Sequence, residues 1–383
     1  MAQGISYGEF PQNGIQRGKQ NRIGWEDHLE QQYFIGATEK IELTQLKTVQ
    51  LPDALLQRLS HNELPTTITT YRYPFQRGGE TYAWQYFKSF LQQRYKNYSR
   101  SLSKPDRSRK SCSRLSPYLA FGCISSREVY QNISVVGEAI TSDWNIKNFR
   151  SRLWWRSHYL QKLESWWRVE MQPINPAFNK LDRQIGGPLF EAWAEGRTGF
   201  PMVDASMRCL QATGWINFRM RAMLVTFASF ALWLDWRPVA AHLARLFLDY
   251  DPGIHYPQIQ MQAGLTGYHT LRIFNPTVQV REHDANGNFI LQWLPELSQI
   301  PKPHLAEPWK MTSMEQTFYE FEIGKDYPAP IVDYDKAVAA NKDRYWAIRQ
   351  NPEARRHLPA IWQRFCIPSD IEKYQTTEDV CNF

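Results

Sequence analysis

Arg156 and Arg221 each fall among apolar residues that repeat at helical spacing. A guanidinium does not shed its proton, so burying one requires a partner. Asp249 and Asp251 are the natural acids. Such pairs are either structural or line a polar pocket beside a flat aromatic ligand. In the second case an Asp facing a ring N–H, and an Arg near a ring that gains negative charge, would stabilise the reduced ring. The run Ser111-Cys112-Ser113-Arg114-Leu115-Ser116-Pro117 places hydroxyls and an arginine just before a helix. That chemistry holds a phosphate or caps an ordinary helix. Trp154, Trp155, Trp193, Trp215, Trp233 and Trp236 fill a core or, as a set, conduct an electron hole. His255 and His269 flank a Gln-rich turn at 258–262 but lack metal-ligand spacing, so no metal is expected. No Walker loop, nucleophile elbow or H-E-x-x-H run occurs.

The elements that must position these groups are helices. Ile146, Phe149, Leu153, Leu160, Leu163 and Trp167 are spaced 3, 4, 7, 3 and 4, one apolar stripe on a helix over 144–169. The skipped turn carries Arg156 on the inward face. Pro201 opens a short helix, Asp204 lies at its positive end, and Gly214 ends it. A second helix over about 216–235 is apolar almost all round, as in the centre of a bundle. Pro238 starts another that runs to about Tyr250, where Pro252-Gly253 breaks the chain. A proline-rich loop region follows Asn275-Pro276, then a charged helical tail from about 335. The fold class expected is all-α, a multi-helical globule.

Composition agrees. The chain has 383 residues, enough to bury a large core, and 43% of them are hydrophobic, which excludes intrinsic disorder. Lys and Arg number 45 against 38 Asp and Glu, and a net charge of +7 permits an anionic partner without demanding one. Five cysteines with no C-x-x-C pair give no support to zinc or iron–sulfur sites and fit a reducing compartment. The most apolar stretch, 223–234, is about half of the ~20 residues a membrane span needs, so a soluble cytoplasmic protein is expected.

Several segments, in order, resemble the FAD-binding helical domain of the photolyase/cryptochrome family. They begin with Phe75-Gln76-Arg77-Gly78-Gly79-Glu80, Ser113-Arg114-Leu115-Ser116-Pro117-Tyr118-Leu119 and Trp155-Arg156. They continue through Gly199-Phe200-Pro201-Met202-Val203-Asp204, Gly214-Trp215, Arg219-Met220-Arg221, Asp249-Tyr250-Asp251 and Arg272-Ile273-Phe274-Asn275-Pro276. The resemblance covers about 75–335 and implies three parts: an irregular segment 1–74, the FAD-binding domain 75–335 and a charged helical extension 336–383. It implies a U-shaped FAD in a helical pocket. Tyr98 and Cys112, Ser113, Arg114, Leu115 and Ser116 would sit at the adenosine–diphosphate side. Phe149 and Arg156 would line the pocket, Arg221 would pair with Asp249 near the flavin, and Tyr250 belongs to the same segment. Asp251 would meet the ring edge, and His255 would face flavin N5. Trp155 would be the wall against which a flipped pyrimidine dimer stacks. The family chemistry is blue-light excitation of reduced FAD, then electron injection into the lesion.

The sequence also departs from the family pattern. Arg152 stands three positions before Trp155, where repair enzymes carry an acid that donates to a pyrimidine carbonyl. Phe218 takes the place of an Asn, with Asn217 one position earlier. The tryptophan nearest the flavin falls at Ile259 and the most distal near Arg183, while Trp236 keeps its place. A relay must therefore use Trp193, Trp215, Trp233 or Tyr256, or be absent. His255 replaces the usual Asn, so its protonation would tie the flavin semiquinone's stability to pH. Residues 1–24 resemble only the end of an α/β antenna domain, so that domain is expected to be missing, unless a separate chain supplies it.

Three functions follow. One is a light-dependent DNA photolyase, a carbon–carbon lyase, using Trp155, Arg152, Trp236 and His255 on a moderately basic face. The second is a flavin photoreceptor or redox sensor of cryptochrome type. The third is a non-catalytic FAD-containing assembly module whose protein partner covers the face left by the antenna domain.

Overall fold

The structure, a computed structural model, describes residues 31, 52–60 and 75–366. The expectations for 1–24 and for the end of the C-terminal tail lie outside these residues. Within 1–74 the one continuous stretch described is a helix, α1 (Asp53–Ser60). Among the described residues there are two isolated β-bridges and no strand, so the architecture is all-α.

Chain order then gives α2 (Glu80–Gln92), α3 (Pro105–Ser111), α4 (Ser116–Ala120), α5 (Ser126–Val135) and the long α6 (Trp144–Ser165). After it come α7 (Pro188–Glu195), α8 (Pro201–Thr213), α9 (Phe218–Thr226), α10 (Trp236–Leu246) and α11 (Pro252–Gln262). Later helices include α12 (Pro276–His283), α13 (Asn288–Trp293), α14 (Tyr334–Arg349), α15 (Pro352–Arg356) and α16 (Leu358–Phe365).

Helix α6 organises the molecule. Asp143 caps it by accepting from the Asn145 N–H at 2.7 Å. Its Ile146, Phe149 and Leu153 enter one apolar core built on α2, α4 and α5, and its C-terminal end meets another that includes Val169, Trp362 and Phe365. A third and larger core holds α8–α10 and Tyr345 of α14, whose ring stacks on Phe178 at 5.4 Å. The candidate site lies where these cores meet. Helix α11 packs along α6. That approach requires glycine: a Cβ at Gly253 would sit 2.8 Å from the Leu160 Cα.

Several boundaries differ from expectation. Helix α6 stops at Ser165 because Trp166 turns extended (φ −158°, ψ 85°), which sets its ring 5.9 Å from Phe365. Asn217 is extended, so α9 starts at Phe218. It passes at Phe227–Ala231 into a π turn, all buried, in place of one helix to 235. Asp235 accepts from the Arg237 N–H at 2.8 Å, which starts α10 at Trp236, two residues before Pro238. The chain leaves α10 at Phe247, earlier than Tyr250. Pro252-Gly253 lies beyond that break and also opens α11, which Asp251 caps through the Gly253 N–H at 3.1 Å. The Gln-rich stretch 258–262 is therefore helix and not turn. Helix α8 and its left-handed Gly214 (φ 67°) fall where the sequence placed them.

Candidate functional site

Two ion pairs stand at the junction. Arg156 Nη2 lies 2.9 Å from Asp251 Oδ2, with side chains 11% and 9% exposed. The same nitrogen donates to the Leu119 carbonyl at 3.2 Å. Arg221 meets Asp249 in a two-pronged contact, both distances 2.9 Å, and its Nε donates to the Ile216 carbonyl at 2.9 Å. Its guanidinium also lies 4.2 Å from the Phe247 ring centre. Burial pushes the Asp249 carboxyl up. The Arg221 charge and its hydrogen bonds, joined by one from Ser116, outweigh burial and hold Asp249 below the ordinary carboxylate value. The sequence named both arginines and both acids. Their proximity follows from α6, α9 and the 247–251 loop meeting at the start of α11.

His255, one turn into α11, is buried against Phe247, Tyr250 and Tyr256, with ring centres 5.8, 5.3 and 5.2 Å away. Its Nε2 is 2.9 Å from the Ala240 carbonyl. A carbonyl only accepts, so Nε2 carries the proton and Nδ1 is the accepting nitrogen. Burial pushes the imidazole down to about 4, with the Ala240 bond opposing and the Arg221 charge adding to the shift. His255 is therefore neutral at neutral pH, and the pH dependence expected from its protonation moves down to that range.

The 112–116 segment is buried from Cys112 to Leu115 and holds Arg114 at a left-handed φ of 60°. Gln76 Nε2 donates to the Arg114 carbonyl at 2.8 Å, and Arg114 Nη2 donates back to Gln76 Oε1 at 2.9 Å. The guanidinium sits 4.1 Å from the Trp215 ring centre, and its buried Nε has no partner. Burial pushes the Cys112 thiol up to about 12, so it stays protonated. Phe149 packs on Phe90 at 4.8 Å and edge-on to Tyr98 at 6.0 Å. Burial, then Cys112, push Tyr98 up to about 12, against a hydrogen bond from Arg152. Arg152 also donates to Asn148 Oδ1 at 3.1 Å.

Beside the ion pairs, the neighbouring residue on α6 opens to solvent. Trp155 is 42% exposed and lines a cavity of about 280 Å³ with Tyr159, Lys162, Phe218, Arg272 and Phe274, among others. Arg152, Trp236 and His255, grouped with Trp155 by the sequence reading, do not line it. Trp236 is buried in the main core with an unpartnered Nε1, and Ile259 is buried there too. Trp193 and Trp233 donate to the Leu224 and Asp182 carbonyls at 3.2 and 2.7 Å. Asn217 is buried and donates to the Leu102 carbonyl at 3.1 Å.

Sequence reasoning missed the cavity floor. Lys162 is 3% exposed, with its ammonium 4.9 Å from the Tyr159 ring and 3.5 Å from the Tyr268 hydroxyl. Burial holds His269 well below its ordinary value, with the Lys162, Arg349 and Arg272 charges adding to the shift. The signal was the spacing of Trp155, Tyr159 and Lys162 on one face of α6. Among the described residues no group of His, Cys, Asp or Glu is placed to hold a metal.

Residues 149–347 match the family described as the FAD binding domain of DNA photolyase. The chain is 33% identical over 262 residues to a deoxyribodipyrimidine photo-lyase of Alkalihalophilus pseudofirmus, covering 67% of this chain and 53% of that one. It is 29% identical over 305 residues to a cryptochrome DASH of Gloeobacter violaceus, covering 73% and 56%. Among solved structures, a class III photolyase from Agrobacterium tumefaciens superposes with TM-score 0.67 at 29% identity, covering 71% of this chain and 56% of that one. A Synechocystis cryptochrome superposes with TM-score 0.67 at 26% identity, covering 73% and 60%. The chain spans about half the length of the curated relatives it matches.

Proposed function

The chain belongs to the DNA photolyase and cryptochrome family through its FAD-binding domain, and on that premise we propose that it drives blue-light electron transfer to a pyrimidine lesion in DNA held against Trp155. The observation that carries this reading is the adjacency of Trp155 and Arg156 on α6. One lines an open aromatic cavity and the next enters a buried ion-pair layer.

The residues present fit FAD. Arg114 keeps a buried, unpartnered Nε beside hydroxyl residues, which suits a diphosphate. Arg156, Asp251, Arg221 and Asp249 form a polar wall suited to the edge of a flat ring. When bound, FAD supplies the light-absorbing electron donor. The protein's part is to fix charge around it. Arg221 keeps Asp249 ionised, and Asp251 holds Arg156 beside α4. His255 offers an accepting Nδ1 while its proton stays on Nε2. In the cavity, Trp155 and Tyr159 offer faces for stacking and the exposed Arg272 offers charge to phosphates, while Lys162 stays buried against the Tyr159 ring. We assign these roles to residues 75–335, with 336–383 as an extension whose Tyr345 helps to close the main core.

A second reading, a photoreceptor or redox sensor without repair, is favoured by the cavity mouth. Phe218 is 51% exposed where an amide was expected, and Arg152 bonds Asn148 instead of lining the cavity. An assembly role would need a protein partner on the face that the relatives' other half would cover. The deciding experiment purifies the chain, records its flavin spectrum, reduces it, and assays thymine-dimer reversal under blue light against a dark control. Bound flavin with light-dependent reversal is the expected result. Bound flavin with no reversal leaves the sensor reading.

A further inference from the structure

A second cavity, about 380 Å³, lies beside α2 and α3 and is lined by Gln85, Tyr86, Ser89, Arg94, Arg109 and Lys110. None of the residues assigned above to FAD or to the lesion lines it. It is a shallow recess open to solvent.

The cavity brings three cations together. Arg94 donates through Nε to Ser89 Oγ at 3.1 Å, and through its terminal nitrogens to the Tyr86, Cys112 and Ser113 carbonyls. Arg109 donates through Nη1 to Thr213 Oγ1 at 3.0 Å and to the Trp215 carbonyl at 3.1 Å. Lys110 is exposed at the rim. No carboxylate of the described residues forms an ion pair with any of the three. Asp106, the acid of α3, is engaged by the Arg107 N–H at 2.7 Å and by the Arg107 guanidinium at 3.8 Å. Glu80, at the start of α2, accepts from Trp84 Nε1 at 3.3 Å.

Carbonyls orient a guanidinium but do not neutralise it, so like charges gathered in a recess repel until an anion joins them. The two arginines are already pinned by the backbone, so a ligand would not have to order them. A planar guanidinium matches phosphate oxygens, and the Gln85 amide adds a neutral donor, while the Ser89 hydroxyl is spent on the Tyr86 carbonyl at 3.0 Å. We propose that this recess binds a small diphosphate-bearing anion, either inorganic pyrophosphate or the diphosphate of a nucleotide. The inference does not rest on the function proposed above.

The test is calorimetric titration of the full chain, before and after FAD loading, with pyrophosphate, ADP, citrate and duplex DNA. Pyrophosphate or ADP should bind one to one with flavin present, and Lys110→Glu should weaken that binding at least tenfold without altering flavin uptake. A preference for ADP would identify the nucleotide as the source, and equal affinity would identify the diphosphate alone. Four results would each overturn the proposal: no heat at millimolar pyrophosphate and ADP, equal binding of citrate, binding only by DNA, or no loss in Lys110→Glu. Binding abolished by FAD loading would overturn it too, since the anion would then be reading the flavin's own diphosphate site. Failure to take up FAD would sink the photochemical reading and leave the titration of the flavin-free chain as the test of this one.

Discussion

Trp155 and Arg156 are neighbours in the chain and belong to opposite environments. Arg156 enters a layer where each charge has a partner, Arg156 with Asp251 and Arg221 with Asp249. Trp155 faces a solvent-open cavity walled by rings and cations drawn from distant segments. The ion-pair layer is constrained by electrostatics, because a lost partner leaves an uncompensated buried charge. The cavity mouth is constrained only by what it binds. The unusual side chain Phe218 lies there, where its type is free to change.

The largest expected effect lies in the buried layer. Arg221→Ala strands the Asp249 carboxylate and should cost about 3–5 kcal/mol of unfolding free energy. Denaturant titration would check this, and Arg221→Met with Asp249→Leu should recover part of the loss. A loss under about 1 kcal/mol would show that the layer is not electrostatically locked.

His255 gives the next largest effect. Its folded value of about 4 lies below the ordinary 6.5, so the unfolded chain takes up the proton first as pH falls. Its contribution is present above pH 6.5 and lost as pH falls towards 4, up to about 3 kcal/mol. Asp249 is also depressed, and its contribution is lost only at lower pH, below the ordinary carboxylate value of about 3.9. Unfolding measured between pH 7 and 4 should therefore be less steep in His255→Asn, the remaining slope belonging to groups such as His269 and His242 that are also held low. An unchanged slope would remove His255 as its source.

In the cavity, Trp155→Ala should leave flavin uptake and folding nearly unchanged. It should weaken binding of dimer-containing single-stranded DNA by about 1–3 kcal/mol, read as a shift in Kd. Equal losses of flavin and DNA would mean that the two environments are not separable. Phe218→Asn is expected to move stability least, within about 0.5 kcal/mol. It sharpens the contrast if light-dependent reversal rises while the unfolding midpoint stays fixed.

The sequence carried the buried layer more clearly than the cavity, for physical reasons. The stripe from Ile146 to Leu153 was readable because one face of α6 repeats at helical spacing. The burial of His158 and Lys162 was not, because α6 also packs along α11 and its polar side is covered by chain more than a hundred residues away. The acids expected to face Arg156 and Arg221 were visible as residue types. The resemblance implied Arg221 with Asp249, as the structure has it, whereas the pairing of Arg156 with Asp251 depends on the turn before α11, where Asp251 both caps the helix and meets Arg156. The π turn after α9 left no local mark, since its residues are as apolar as those of the helix it interrupts. Lys162, Tyr268 and Arg272 meet in the cavity only after folding.

Gly253 ties these parts together mechanically. With the Leu160 backbone against its Cα, α11 rests on α6 with no room for a methyl group. Asp251 and His255 lie two residues to either side of that contact, so a side chain there would lever both off their partners in one motion. Acid and imidazole are thus a single part whose setting is the close contact of Gly253 with Leu160. Drift that retunes one of them by moving the helix must retune the other as well.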